Sequence, residues 1–296
     1  MDRYSDLRDR ASDFVKEFAP GGPVLVLAPL RAAAEEVALH ACGNALLGVT
    51  RLAFRDLVSE LAAAELLRRE LVPVGRFVRE ALAARVTAEA RSQLTYLGPV
   101  ANFPGFPRAL TDTFEELRLN AADLDLLRQC GNSGPDLALL LEAYVRELSD
   151  RRLADHATRV RLAHDAVNSG THDLCRMAVV ALDLAPRTTL ERTLLESVMR
   201  SPLPRLELHL GQGWRNRKPS SSLESLQRYL FSTDPVPIRE EDGTVEIFST
   251  SGEALECVEI ARSINRAADR GVPFDEIAIL LRSPERHQPL VVGALR

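Results

Sequence analysis

TVEIFSTSGEALECVEIARSINRAADRGVPFDEIAILLRSPER, Thr244 to Arg286, carries three stretches of distinct hydrophobic rhythm in forty-odd residues. Val245-Glu-Ile-Phe248 is a short extended run. Glu253 to Arg270 places apolar residues at helical spacing, and Ile277-Ala-Ile-Leu-Leu281 is an apolar run closed by Arg282. Strand, helix and strand in that order predict a βαβ unit, and hence a parallel sheet flanked by helices.

The same alternation appears at the other end of the chain. Asp2 to Phe18 has helical spacing, with Tyr4, Leu7, Ala11, Phe14 and Phe18 on one stripe, and Pro20-Gly-Gly-Pro23 stops it. Val24-Leu-Val-Leu-Ala28 is apolar without alternation, which suits a strand covered on both faces. A helix from Arg31 to Cys42, a short strand at Leu47–Thr50 and a helix from Leu52 to Arg69 follow. From Val74 to Val167 long amphipathic patterns predict helices only. Strand character returns at Met177–Leu182, then a helix over Thr188–Arg200 and a strand at Leu206–Leu210. The fold class expected is α/β: a parallel sheet in 1–73 and 168–210, an all-helical insertion over 74–167, a connector over 211–243 with one amphipathic segment at Leu223–Phe231, and a second sheet begun in 244–296.

Chemistry is constrained by what is missing. Of 37 basic residues only Lys16 and Lys218 are lysines, and neither follows a glycine. A phosphate-binding loop needs GxxxxGK[ST] between strand and helix, because backbone amides and a lysine ammonium converge on the triphosphate. The turn after the first strand reads Ala28-Pro29-Leu30-Arg31 instead. ATP hydrolysis also needs a carboxylate pair at a strand end. Leu182-Asp183-Leu184 offers Asp183 as a degenerate remnant and leucine where its partner would stand. Neither lysine lies two residues after an acid, so a PD-(D/E)XK nuclease centre is not encoded here. Cys42, Cys130, Cys175 and Cys257 are scattered singly, without zinc or cluster spacing, and read as reduced thiols. Asp155 with His156 and His172 with Asp173 read as surface or capping pairs. A net charge of -5 argues against wholesale coating of nucleic acid and leaves room for a local basic groove. The charged N-terminus and the shortness of the first apolar run favour the cytoplasm and no membrane partner.

Several segments, taken in order, resemble the AddB-type helicase-nuclease subunits of bacterial double-strand-break repair, and more broadly the UvrD/Rep-type superfamily 1 helicases. VLVLAPLRAAAEEV (Val24–Val37) and GVTRLAFRDLVSELA (Gly48–Ala62) are similar to the segments that touch single-stranded DNA. PGFPRALTDTFEELRL (Pro104–Leu119) resembles the Gly-Phe then Glu-Leu-Arg signature, and DLALLLEAYVRELSDRRLADHATRV (Asp136–Val160) the Tyr, Leu and Asp pattern on Tyr144, Leu148 and Asp155. VVALDLAPRTTLERTLLESV (Val179–Val198) stands where the second nucleotide motif would be.

The resemblance implies a RecA-like first domain, a linker and a second RecA-like domain that is only begun, in the N-terminal part of a longer protein whose nuclease domain lies beyond Arg296. It implies a role in DNA repair by homologous recombination, with DNA (single strands or broken ends) and an AddA-like helicase-nuclease subunit as partners. Active relatives use ATP and Mg²⁺, with metal ions in the nuclease domain; for this chain no cofactor is expected. The DNA-contacting positions carried over are Arg31, Thr50, Arg51 and Arg55, with Arg282 and Arg286 beside the last apolar run. Two alternatives stay open: an ATP-driven helicase with an atypical nucleotide site, and a scaffold whose helices dock a partner without touching DNA.

Overall fold

Val24–Ala28 (β1) is buried at every residue, as an apolar run without alternation requires, and it organises everything around it. The computed structural model describes residues 3–43, 48–170, 172–209, 219–230, 235–237 and 242–296. Asp2, Leu47, Leu210 and Phe231, assigned to elements above, lie outside those residues, as does the side chain of Tyr4. Contacts divide the chain into two units, Met1–Gln212 and Gly213–Arg296.

In the first unit the order is α1 (Arg3–Phe18), β1, α2 (Arg31–Cys42), β2 (Val49–Ala53), α3 (Phe54–Arg68), β3 (Val72–Pro73), α4 (Arg76–Ala90), α5 (Phe106–Leu119), α6 (Leu124–Arg128), α7 (Gly134–Asp150), β4 (Leu153–Ala154), α8 (His156–Ser169), β5 (Ala178–Leu182), α9 (Thr189–Met199) and β6 (Arg205–Leu208). Four strands form a parallel sheet in the order β2-β1-β5-β6. The class is mixed α/β.

The pleat sorts β1 and β5 between two cores. Leu25, Leu27, Val179 and Ala181 pack with Leu57 and Leu61 of α3, Val160 and Ala163 of α8, and Leu194 and Leu195 of α9. Val24, Val26, Ala28, Val180 and Leu182 pack on the other face with Leu7, Ala11, Phe14 and Val15 of α1 and Val37 of α2. Full burial of each such side chain contributes about 1.5–3 kcal/mol, so sheet and flanking helices are held from both sides. Three of the predicted stripe residues on α1, Leu7, Ala11 and Phe14, are buried.

A third core fills the helical block: Leu82 and Val86 of α4, Leu110 and Phe114 of α5, Leu127 of α6, and Leu140, Tyr144 and Leu148 of α7. The expectation of helices alone fails at one place. β4 lies inside that segment and pairs in parallel with β3, Val72 opposite Leu153 and Pro73 opposite Ala154. The amide of Val72 donates to the Arg152 carbonyl at 2.8 Å and that of Val74 to Ala154 at 3.0 Å. An Arg152–Glu70 ion pair brackets the pairing. Two residues per strand are too few to show as a hydrophobic rhythm.

The second unit contains α10 (Ser222–Tyr229), α11 (Glu253–Asp269) and α12 (Pro284–Ala294). α11 matches the expected helix to within a residue, burying Cys257 and Ala261. The two strands predicted on either side of it are corrected. Among the described residues neither Val245–Phe248 nor Ile277–Leu281 joins a ladder. An apolar run becomes a strand only when a neighbour takes its backbone hydrogen bonds and covers its side chains. Here Ile247 is 91% exposed and Leu280 95%, so these runs stay outside any sheet among the described residues. Asp242 accepts from the Ser222 and Thr244 amides and the Thr244 hydroxyl, tying α10 to the start of the following segment within what reads as a bare connector.

Candidate nucleic-acid interface

The chain leaves β1 through α2 to β2 on one side, and reaches β5 on the other side only after α3, the helical block and α8. The carboxyl ends of β1 and β5 therefore border a topological switch point, where connections diverge and a crevice opens in sheets of this kind. Leu27 stands opposite Ala181, so the turn Pro29–Leu30 and Asp183 lie next to one another at that edge.

Arg31 opens α2 there, exposed, with its Nε donating to Glu35 Oε1 at 3.1 Å. Leu30, the residue before the helix, is 70% exposed and supplies no side-chain cap. β2 runs directly into α3, with Ala53 as the cap position, and Arg55 is exposed in the first turn of that helix. Arg31, Arg55 and Asp183 thus share the carboxyl edge. Thr50 and Arg51 do not. They sit in mid-strand opposite Leu25 and Val26, on the outermost strand of the described sheet. Both are half-buried, and the Arg51 Nε is enclosed with no hydrogen-bond partner among the described residues. Arg282 and Arg286 belong to the second unit. Arg282 is exposed beside the single run Ile277–Leu281, and Arg286 pairs with Glu253, its Nε donating at 3.2 Å.

Asp183 adopts φ 44°, the left-handed region that an aspartate tolerates better than most residues. Its amide donates to the Leu208 carbonyl at 2.6 Å, extending the β5–β6 pairing by one bond past Leu182. Leu184 is buried in the core against α9. A nucleoside triphosphate with Mg²⁺ does not fit these residues: Pro29 has no N–H to offer, no lysine stands in the turn that follows, and the position beside Asp183 is an apolar core residue.

The segments bearing the Glu-Leu-Arg and Tyr-Leu-Asp signatures meet in a buried cluster. Arg118 of α5 and Asp155 form a bidentate pair, Nε to Oδ2 at 2.8 Å and Nη2 to Oδ1 at 3.0 Å, with both side chains under a tenth exposed. Asp155 also caps α8, accepting from the Thr158 amide at 2.9 Å, and Thr158 Oγ1 accepts from Arg118 at 2.9 Å. Burial alone would raise the Asp155 carboxyl; the Arg118 charge and hydrogen bonds, with those of Thr158, hold it below the ordinary carboxylate range. Tyr144 stacks near Phe114, ring centroids 5.0 Å apart, and burial pushes its phenol well up. Arg79 closes the group with Glu115 at 2.6 Å.

Of the surface or capping roles expected for Asp155 the structure shows the cap, made by a buried side chain. A partner 37 residues away is invisible in local pattern. His156 lies 3.8 Å from Glu191, and His172 caps the short 3₁₀ turn Asp173–Arg176 by accepting from the Leu174 amide. Sequence reasoning missed Asp136 altogether. Its carboxylate accepts the amides of Thr95, Tyr96 and Leu97, ordering the turn after α4.

No protein-family model matches this chain, and no curated protein matches it at a significant level. No helix among the described residues is long and apolar enough to cross a membrane.

Proposed function

We propose that the first unit is a RecA-like body that holds single-stranded DNA without hydrolysing nucleotide, as the helicase-derived part of an AddB-type DNA-end-processing machine. One observation carries the reading: the doubly flanked parallel sheet has its switch point between β1 and β5, and the edge there presents Arg31, Arg55 and the amino terminus of α2, which has no side-chain cap. Guanidinium groups and helix amides are the usual ligands of DNA phosphates. The failure of the Pro29 turn and Leu184 to suit a triphosphate favours gripping over pulling. Partnership with an AddA-like subunit and a place in homologous recombination belong to the same proposal and rest on the motif resemblance.

The test is fluorescence anisotropy of a labelled single-stranded oligonucleotide titrated with the full chain across a salt series. Saturable binding whose logarithm falls linearly with log salt is expected. Arg31→Ala with Arg55→Ala should lower the slope by about 1.4, at about 0.7 for each single-strand phosphate contact. Steady ATP hydrolysis stimulated by the oligonucleotide would refute the reading, and so would DNA binding that ignores both substitutions.

A further inference from the structure

At the opposite, amino-terminal end of the same sheet lies a cavity of about 570 Å³, formed where β1, α3, the end of α8, the Asp173–Arg176 turn, the end of α9 and the start of β6 meet. Its walls are apolar: Leu25, Leu57, Leu61, Leu174, Val198 and Leu203. Its charge is one-sided. Arg176, Arg200 and Arg205 line it, Arg200 with Glu196 at 3.3 Å behind it, and among the described residues no aspartate or glutamate is in the lining itself, in a chain that carries 42 acids to 37 bases.

Arg205 is the informative group. Its Nε donates to the Val198 carbonyl at 3.0 Å, and its Nη1 to Met177 at 2.6 Å and Pro204 at 2.9 Å, so the guanidinium is held rigidly. It is half-buried, and among the described residues it has no carboxylate partner and its Nη2 no hydrogen bond. Burial pushes its pKa down, and the nearby Cys175 thiol offsets this only in part. Such a charge inside an apolar wall is costly unless something anionic completes it.

We propose that this cavity binds a small amphipathic anion: an apolar body of a size that fits the space, with one carboxylate or phosphate group on Arg205, and Arg176 and Arg200 at the mouth. The volume falls in the range of small-molecule pockets. The site is distinct from the carboxyl edge and does not depend on the DNA reading.

Isothermal titration of the full chain with decanoate tests it, with decanol as the neutral control and octyl phosphate as the phosphate-bearing counterpart. Saturable binding of decanoate at one per chain is expected, with decanol weaker by about tenfold or more for loss of the charge-assisted hydrogen bond. Arg205→Gln should remove that preference. Because Arg205 also ties three carbonyls, a second variant guards the result: Ser197→Trp fills the cavity from the half-buried end of α9 and should abolish binding with the circular dichroism unchanged. Comparable binding of octyl phosphate would assign the site to anions generally, and its absence to carboxylates. Equal affinity for decanoate and decanol, binding that survives Ser197→Trp, or no saturable heat would overturn the proposal.

Discussion

Replacing Asp155 by alanine removes two supports at once. Among the described residues the carboxylate is the only one paired with Arg118, whose side chain is 7% exposed, and it is also the cap of α8. Breaking a buried pair from one side costs about 3–5 kcal/mol, because the surviving charge is left in a poor solvent. Loss of an N-cap costs about 1 kcal/mol. The two costs overlap on one group, so a total of about 4 kcal/mol is expected, a large share of the roughly 5–15 kcal/mol that holds a domain. Arg118→Met should cost less, about 3 kcal/mol, since Asp155 keeps its Thr158 hydrogen bonds and the α8 amino terminus. The double variant Arg118→Met, Asp155→Asn leaves no unpaired charge and should lose at least about 1 kcal/mol less than the sum of Arg118→Met and Asp155→Asn. Urea unfolding of the full chain at neutral pH, followed by far-ultraviolet circular dichroism, reads all four. The pH dependence follows from the sign of the shift. The Asp155 carboxyl is depressed in the folded state, so its stabilisation is complete above the unfolded value of about 4 and drains away as pH falls through the folded pKa. A loss under about 1 kcal/mol for Asp155→Ala, or strict additivity in the cycle, would refute the idea that this pair staples the helical block to the sheet.

Other positions give sharper local readouts. Gly134 has no room for a side chain, since an added Cβ would press into the Leu127 carbonyl oxygen; Gly134→Ala should cost about 1–3 kcal/mol by thermal unfolding. Asp136→Ala should free the Thr95–Leu97 amides, seen as a selective rise in hydrogen exchange at those three residues. Thr188 caps α9 and donates to Glu191 at 2.9 Å, so Thr188→Ala should lower stability by about 1 kcal/mol. At Asp183, with φ 44°, Asp183→Gly should be more stable than Asp183→Ala by about 1 kcal/mol in the same melt.

What the linear chain disclosed was whatever depends on neighbours within about a turn or a strand. β1, β5, α2 with its stop at Gly43, and α9 were legible because an unbroken apolar run or a helical stripe is set by local burial alone. Val245–Phe248 and Ile277–Leu281 misled for the complementary reason. Their composition suits strands, but strand formation depends on a partner that composition does not specify. The candidate edge residues divided in the same way: Arg31 and Asp183 follow strand ends that could be located by eye, whereas the mid-strand register of Thr50 and Arg51 emerged only with β1 beside them. Arg118, Asp136 and Arg205 act on groups 37, about 40 and 28 residues away, beyond the reach of any periodicity. Arg118 lay inside a segment singled out for its motif, without any hint that its role was internal.

The short parallel contact between Val72–Pro73 and Leu153–Ala154 makes the whole helical block a detour whose departure and return share one doorway. Whatever closure entropy the excursion carries grows only slowly with its length, so residues added to the block's outer turns cost the sheet little as long as α5 stays to supply Arg118 to Asp155. The block is thus moored twice, at its doorway and at one buried ion pair, with its length between the two moorings left thermodynamically cheap to change.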